Sequence, residues 1–338
     1  MPSISNLKTL VEVDDLRVLF HQRRGNFGRV TIRAVDGVSF RVPVGTTLGI
    51  VGESGSGKST VVRAVVGLQP ATSGTIRVLG TDTTRKDAAA RDALRGVQMV
   101  FQDPSASLNP RLNVGTAIME PILRTCSKVE ARRRMLETLE LVGLRSSLAD
   151  RLPGQLSGGQ QQRVGIARAI IQQPQVIVLD EAVSALDVSV QAQVLNLLAD
   201  LQERFSLTYI FVSHDLAAVQ MLADRVIVLY LGRIMEDVPA AMLDRDLAHP
   251  YSIALRSAVP YSDPGRERSR ERILLTGDVP SPADPPSGCV FHTRCPVAQA
   301  VCRTDVPALR ELGDGRRVAC HFAGEVSVAQ LAAAGATA

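Results

Sequence analysis

The nine residues Gly52-Glu53-Ser54-Gly55-Ser56-Gly57-Lys58-Ser59-Thr60 constrain this chain more than any other stretch. The compact apolar run at 48–51 feeds straight into them, and a helical pattern over 58–68 follows, stopped by Pro70. Strand, glycine-rich loop and helix, in that order, let successive backbone N–H groups converge on an anion. The helix adds the positive end of its dipole. Lys58 supplies a full charge for phosphate oxygens, and Ser59 a hydroxyl suited to Mg²⁺. A buried strand running into such a helix belongs to a parallel sheet, so the expected fold class is α/β.

The rest of the chain fits that frame. Residues 10–20 alternate and end in an aromatic, 34–42 form a second short strand pattern, and 73–79 and 97–101 are further strands. Between 102 and 156 helical patterns dominate, the charged stretch 129–141 among them, and the segment reads as a helical insertion. Residues 160–172 form a helix ended before Pro174, 176–179 a buried strand, and 188–204 an amphipathic helix with Val190, Val194, Leu197, Leu198 and Leu201 on one face. A strand at 209–213 precedes a hairpin that begins at 226–231 and turns at Gly232. Beyond about residue 245 the composition shifts: 262–272 is a charge-rich solvated loop, 280–288 a Pro-rich stiff linker, and the tail from Gly324 is Ala-rich.

At 338 residues there is room for a full α/β core and one smaller appendage. Trp is absent and aromatics make up 4%, which argues against stacking on single-stranded nucleic acid. The net charge of +4 permits contact with an acidic membrane surface without arguing for it. No apolar run approaches the ~20 residues of a bilayer-spanning helix. The opening MPSISNLKTLVEVDD lacks a basic region followed by an apolar one, so no signal peptide is expected. The chain is expected in the cytosol, reaching the membrane through a partner.

Cys126 stands alone, whereas Cys289, Cys295, Cys302 and Cys320 cluster as C-x5-C-x6-C-x17-C. In a cytosolic chain such a cluster reads as a metal site more readily than as disulfides. Thiolates at irregular spacing close around one metal ion or one iron–sulfur cluster. Unligated buried thiols are the alternative, and His292 and His321 lie close enough in sequence to replace a ligand.

Two further motifs carry chemistry. Asp180-Glu181 follows the buried strand 176–179, and ligands of open α/β sheets bind outside the carboxyl ends of strands. Asp180 there holds Mg²⁺ through water, and Glu181 polarises the attacking water as general base. Leu156-Ser157-Gly158-Gly159-Gln160 precedes a helix, with Ser157 a natural N-cap and the glycines exposing backbone N–H groups. This is a second anion site in a chain that already has a phosphate loop, so it is expected to serve the ATP of another subunit.

Phosphate loop, LSGGQ, Asp-Glu pair and the later Val212-Ser213-His214-Asp215 stand in the order found in ABC-type ATPases, which residues 8–240 resemble. The resemblance implies a P-loop ATPase core, with a RecA-like parallel sheet, an antiparallel β subdomain and the helical insertion at about 103–160. It implies that Gln102 is the lid glutamine touching Mg²⁺, that His214 contacts the γ-phosphate, and that Phe20 stacks on adenine. It implies that the SALD run at 184–187, with Asp187, crosses a dimer interface. Gly52, Ser54, Gly55, Gly57, Lys58, Ser59 and Thr60 then hold the nucleotide, Ser59, Gln102 and Asp180 the Mg²⁺, and Glu181, His214 and Gln102 the chemistry. Ser157, Gly158, Gly159 and Gln160 face the partner's ATP. The chain departs from the family where Asp-Glu-Pro-Thr is replaced by Asp180-Glu181-Ala182-Val183, and where Phe20 stands for Tyr.

The second half is similar to the ATP-binding subunits of oligopeptide/dipeptide importers. Gln102-Asp103-Pro104-Ser105-Ala106-Ser107-Leu108-Asn109-Pro110, His249-Pro250-Tyr251, Ser257-Ala258-Val259-Pro260, Pro285-Pro286-Ser287-Gly288-Cys289 and Arg294-Cys295-Pro296 carry this likeness. It implies a nucleotide-binding domain at 1–245 and a small Cys-rich C-terminal extension at 246–338. It implies a [4Fe–4S] cluster on Cys289, Cys295, Cys302 and Cys320, with Zn²⁺ the alternative. The implied partners are a second ATPase subunit, two transmembrane permease subunits and, indirectly, an extracytoplasmic peptide-binding protein. Nucleic acid is not among them, and the implied location is peripheral, on the cytoplasmic face of the cell membrane. Nickel and glutathione importers have similar ATPases. ABC ATPases acting on DNA or the ribosome carry coiled coils, zinc modules or tandem cassettes, and this chain has a single cassette.

Overall fold

The structure is a computed structural model that describes residues 8–24, 28–103, 107–260, 264–268, 272–326 and 330–331. Among them, two sheets carry the fold. Strands β1 (Thr9–Arg24), β2 (Gly28–Pro43), β4 (Ser73–Val78) and β5 (Thr81–Asp82) form an antiparallel sheet in the order β2-β1-β4-β5. The larger sheet takes β3 (Thr47–Val51), β6 (Val97–Val100), β7 (Val176–Asp180), β8 (Thr208–Val212), β9 (Arg225–Tyr230), β10 (Arg233–Pro239), β11 (Arg310–Glu311) and β12 (Arg317–Val318). Its order is β11-β12-β10-β9-β3-β8-β7-β6, and the five strands from β9 to β6 run parallel.

Helices cover this sheet. They are α1 (Lys58–Val65), α2 (Ala88–Arg95), α3 (Val114–Met119), α4 (Lys128–Leu141), α5 (Gly158–Ile170), α6 (Val188–Phe205) and α7 (Leu216–Leu222), with α8 (Pro250–Ser257), α9 (Pro264–Arg268) and α10 (Ala300–Thr304) beyond the hairpin. Every residue of β3, β7 and β8 is buried, as strands sandwiched on both faces must be. Alternation divides them between two cores. Val176, Val178, Ile210 and Val212 pack with Val61, Val62 and Val65 of α1 and with the antiparallel sheet. Ile177, Leu179, Tyr209 and Phe211 pack with Val164 of α5 and with Val194 and Leu198 of α6. Helices α3 and α4 join this second core through Val114, Ile118, Met135 and Leu139.

Several expectations shift. Helix α1 ends at Val65, before Pro70 is reached, because Gly67 N–H bonds to the Ala64 carbonyl at 3.1 Å and Leu68 N–H to the Arg63 carbonyl at 2.8 Å. That pair of reversed bonds satisfies the last turn and closes the helix. The charge-rich 262–272 stretch contains α9, so it is not wholly a loop; residues 261–263 and 269–271 lie outside the described residues. Pro104, Ser105 and Ala106 of the 102–110 run and most of the tail from 324 also lie outside them. The linker at 280–288 is docked, its Pro282 carbonyl accepting from Arg33 N–H at 3.0 Å. Chain beyond residue 246 also extends the core sheet: Val318 and Arg317 of β12 pair with Glu236 and Asp237 of β10. The buried Asp237 carboxylate forms ion pairs with Arg225, at 2.6 Å, and with Arg317. Among the described residues no helix is long and apolar enough to cross a membrane.

Candidate active site

The phosphate loop sits where β3 leaves the sheet. Gly52 has φ +151°, and a Cβ there would lie 2.2 Å from the Leu229 carbonyl oxygen of β9. Only glycine lets the chain turn this close to its neighbour strand. Lys58, at the first position of α1, is buried and folds back, its Nζ donating to the carbonyls of Gly52 at 2.8 Å and Glu53 at 2.9 Å. Ser54 and Gly55 stay exposed at the tip, while Ser59 and Thr60 are half-buried.

The second carboxylate motif meets the loop across the sheet. Ser59 Oγ donates to Asp180 Oδ1 at 2.9 Å, joining residues 121 positions apart. Asp180 closes β7 and is buried. Glu181 follows in a left-handed conformation, φ +50°, a strained state for a residue with a Cβ. Its N–H is held by the Val212 carbonyl of β8 at 3.0 Å. His214, just past β8, places Nδ1 3.6 Å from Glu181 Oε2. Ala182 and Val183, the departure from Pro-Thr, are both buried, and Ser184 anchors the turn by donating Oγ to the Glu181 carbonyl at 2.8 Å.

Electrostatics are set by burial. Burial pushes the Lys58 ammonium below its ordinary pKa, with Glu181, Asp180 and Glu53 pulling it back up. Burial likewise raises the Asp180 carboxyl, opposed by the Ser59 hydrogen bond and by the Arg63 charge. A half-desolvated cation beside a carboxylate and a magnesium-type hydroxyl suits an anionic, metal-bound ligand.

Among the described residues, no hydrogen bond or ion pair joins the other expected residues to this centre. Phe20 lies exposed in β1, paired with Ile32 of β2. Gln102 is exposed just beyond β6. Ser157 caps α5: its N–H donates to Gln160 Oε1 at 3.0 Å while Gln160 N–H donates to Ser157 Oγ at 3.4 Å, a reciprocal box that spends the Gln160 side chain on the helix start. Gly159 is pressed on α6, where a Cβ would lie 2.4 Å from Val190 Cγ1. Asp187 caps α6, accepting from Val190 N–H at 3.0 Å, and that bond holds its carboxyl below the usual range. Among the described residues no hydrogen bond or ion pair links 157–160 to 52–60.

The four clustered cysteines line one pocket together with Phe291 and Phe322. Its volume is about 20 Å³, room for about one water molecule. Among the described residues no group of three or more His, Cys, Asp or Glu side chains is placed to hold a metal ion. The structure therefore does not present the expected ready-made ligand set for a [4Fe–4S] cluster or Zn²⁺. Burial pushes the Cys295 thiol up to about 12, the Cys320 thiol up to about 11, and the Cys289 thiol also upward. Cys126 stays apart, its Sγ donating to the Ile122 carbonyl at 3.3 Å.

A phosphate loop meeting an Asp-Glu strand end inside a parallel sheet, with LSGGQ capping a neighbouring helix, defines an ATP-binding cassette. Known proteins agree. The family model described as "ABC transporter" matches residues 35–184, and the one described as "Oligopeptide/dipeptide transporter, C-terminal region" matches 235–302. The oligopeptide transport ATP-binding protein AppF of Bacillus subtilis is 47% identical over 324 residues, 94% of this chain and 98% of AppF. The di/tripeptide transport ATP-binding protein DppF of Pseudomonas aeruginosa is 46% identical, covering 94% of this chain and 98% of DppF. Among solved structures, the dimeric ATP-binding cassette MJ0796 bound to ADP and Pi matches with a TM-score of 0.61 and 28% identity, over 68% of this chain and 99% of that one. The chain belongs to the ABC transporter family, as one of its ATP-binding ATPases.

Sequence reasoning had no means of finding three residues around the loop. Arg63 faces Asp180 electrostatically, whereas Tyr251 and Arg294 reach Glu53 from 198 and 241 positions away. Tyr251 and Arg294 had stood out only as parts of family-like runs.

Proposed function

We infer that this chain powers the import of di- and oligopeptides as the ATP-hydrolysing subunit of a membrane transporter. The observation that carries the reading is the Ser59–Asp180 hydrogen bond, which brings the phosphate loop and the Asp-Glu strand end to one point. The transported class rests on the relatives, whose names specify oligopeptides and di/tripeptides.

In this reading the backbone of 52–60 and Lys58 bind the phosphates, and Phe20 stacks on the adenine. Ser59, Gln102 and Asp180 would hold Mg²⁺, which would supply positive charge to offset that of the phosphates. Glu181 takes a proton from the attacking water, and His214, close to its carboxylate, orients toward the γ-phosphate. Ser157, Gly158, Gly159, Gln160 and Asp187 face the nucleotide of a second ATPase subunit, which accounts for their distance in contacts from the chain's own loop. Residues 1–245 form the nucleotide-binding domain, with the insertion at about 103–160 passing movement to two permease subunits. The chain then sits peripherally on the cytoplasmic face of the membrane, an extracytoplasmic binding protein presenting the peptide beyond the permease. Residues 246–338 form the extension. Its four cysteines line one pocket, and this supports the reading that Cys289, Cys295, Cys302 and Cys320, as thiolates, would hold a [4Fe–4S] cluster.

Glu181→Gln tests the chemistry. In the assembled transporter it should bind ATP as the parent does and lower turnover by at least about 100-fold, with labelled tripeptide uptake lost in step. Hydrolysis at the parental rate would remove Glu181 as the base, and normal tripeptide uptake in cells lacking the chain would remove the cargo assignment.

A further inference from the structure

Glu53 brings a negative charge into the phosphate loop. It is an acid in a loop built to attract anions, immediately after Gly52. Its neighbours show how the fold accommodates it. Arg294 Nη1 donates to Glu53 Oε2 at 2.8 Å, and the arginine side chain is only 9% exposed. Tyr251 Oη accepts from the Glu53 N–H at 2.9 Å. The Glu53 carbonyl accepts from Lys58 Nζ at 2.9 Å and from Ser56 N–H at 3.2 Å. Glu53 thus connects two partners from the far end of the chain with the lysine of the phosphate loop.

Both partners stand on a rigid aromatic platform. The Tyr230 and Tyr251 ring centroids are 4.8 Å apart, and Phe291 lies 5.4 Å from the first and 5.3 Å from the second. The Arg294 guanidinium sits 5.9 Å over the Tyr230 ring. Tyr251 is fixed by the start of α8, where its N–H donates to the His249 ring at 3.0 Å. The Arg294 N–H donates to the Phe291 carbonyl at 3.0 Å, inside the turns that carry Cys289 and Cys295. A buried arginine with one carboxylate partner is costly unless the pair is kept together.

We propose that the segment beyond residue 246 positions the phosphate loop, with Arg294 and Tyr251 as positioning residues acting through Glu53. Arg294 neutralises and orients the Glu53 carboxylate so that its charge does not oppose the incoming phosphates, and Tyr251 fixes the Glu53 backbone that receives Lys58. This rests on the reading that 52–60 hold the nucleotide phosphates.

Calorimetry of Mg-ATP binding to the full chain tests both levels separately. Lys58→Ala should abolish binding; if it does not, the phosphate-loop reading fails. Arg294→Gln should raise the ATP Kd about tenfold, the scale of one unpaired charge at intermediate dielectric near the phosphates, and Arg294→Lys should recover most of that. Glu53→Gln in the Arg294→Gln background should restore Kd to within about threefold of the parent, because the charge that Arg294 offset is gone. A purely structural arginine would not be rescued in this way. Parental affinity in Arg294→Gln, or no rescue in the double variant, overturns the proposal. If Arg294→Gln does not fold, Tyr251→Phe carries the test: Kd should rise about threefold for the lost hydrogen bond, and unchanged affinity overturns the proposal.

Discussion

Lowering the pH should loosen the base of α8 through one histidine. His249 is fully buried, and its Nδ1 accepts the Tyr251 N–H at 3.0 Å as the N-cap of that helix. Burial holds its pKa down to about 3 against an ordinary 6.5, with the Ala319 backbone offsetting only part of the effect. Below 6.5 the unfolded chain takes up a proton that the native fold refuses, so stability falls as the pH drops and continues to fall toward 3. At about pH 5 the loss is roughly 2 kcal/mol, and at about pH 7.5 it is negligible. The buried Glu236, which accepts the Ala248 and His249 N–H groups at 2.8 and 3.1 Å, has its pKa raised by burial and acts in the opposite direction. His249→Asn keeps a cap acceptor, removes the titration and leaves Glu236 in place. Urea unfolding of both proteins at the two pH values isolates the term: the parent should lose about 2 kcal/mol more than the variant on acidification. Equal losses would refute the assignment of a neutral, proton-refusing His249.

Two other results are expected. Gly52→Ala should destabilise the chain by more than about 2 kcal/mol and abolish ATP binding, since its Cβ would strike a strand carbonyl that cannot move, while Gly55→Ala, with open space around it, should cost about 1 kcal/mol from backbone strain alone; chemical denaturation yielding equal losses would contradict the loop packing. Protein purified without oxygen should carry iron and acid-labile sulfide in equal amounts, lost in Cys302→Ser; zinc, or no metal at all, would remove the iron–sulfur reading.

The local geometry of the candidate site was legible in the order of residues. A phosphate loop is a local object: strand, glycines and lysine lie within a dozen positions, so its geometry follows from backbone sterics and one helix dipole. LSGGQ as a helix start and Asp180-Glu181 as a strand end were legible for the same reason, and α5 and β7 begin and end where those signals stand. The end of α1 was misread because Pro70 is a visible stop, whereas the reversed hydrogen bonds after Val65 act earlier.

What lay beyond the sequence depends on contacts between distant residues. Spacing grouped four cysteines, and only the fold shows them lining one pocket of about 20 Å³ with Phe291 and Phe322, Cys289 and Cys302 buried and Cys295 and Cys320 half-buried. Composition set residues 246–338 apart, yet β12 continues the core sheet on β10. Nothing local marked Glu53 as a junction, because its partners Tyr251 and Arg294 come from the other end of the chain. The sequence by itself determined the ATPase family, since the phosphate loop, LSGGQ and the Asp-Glu pair are short runs of neighbouring residues. Tertiary structure alone decided which distant side chains hold those runs in place, because burial, charge pairing and ring packing arise only when remote segments meet.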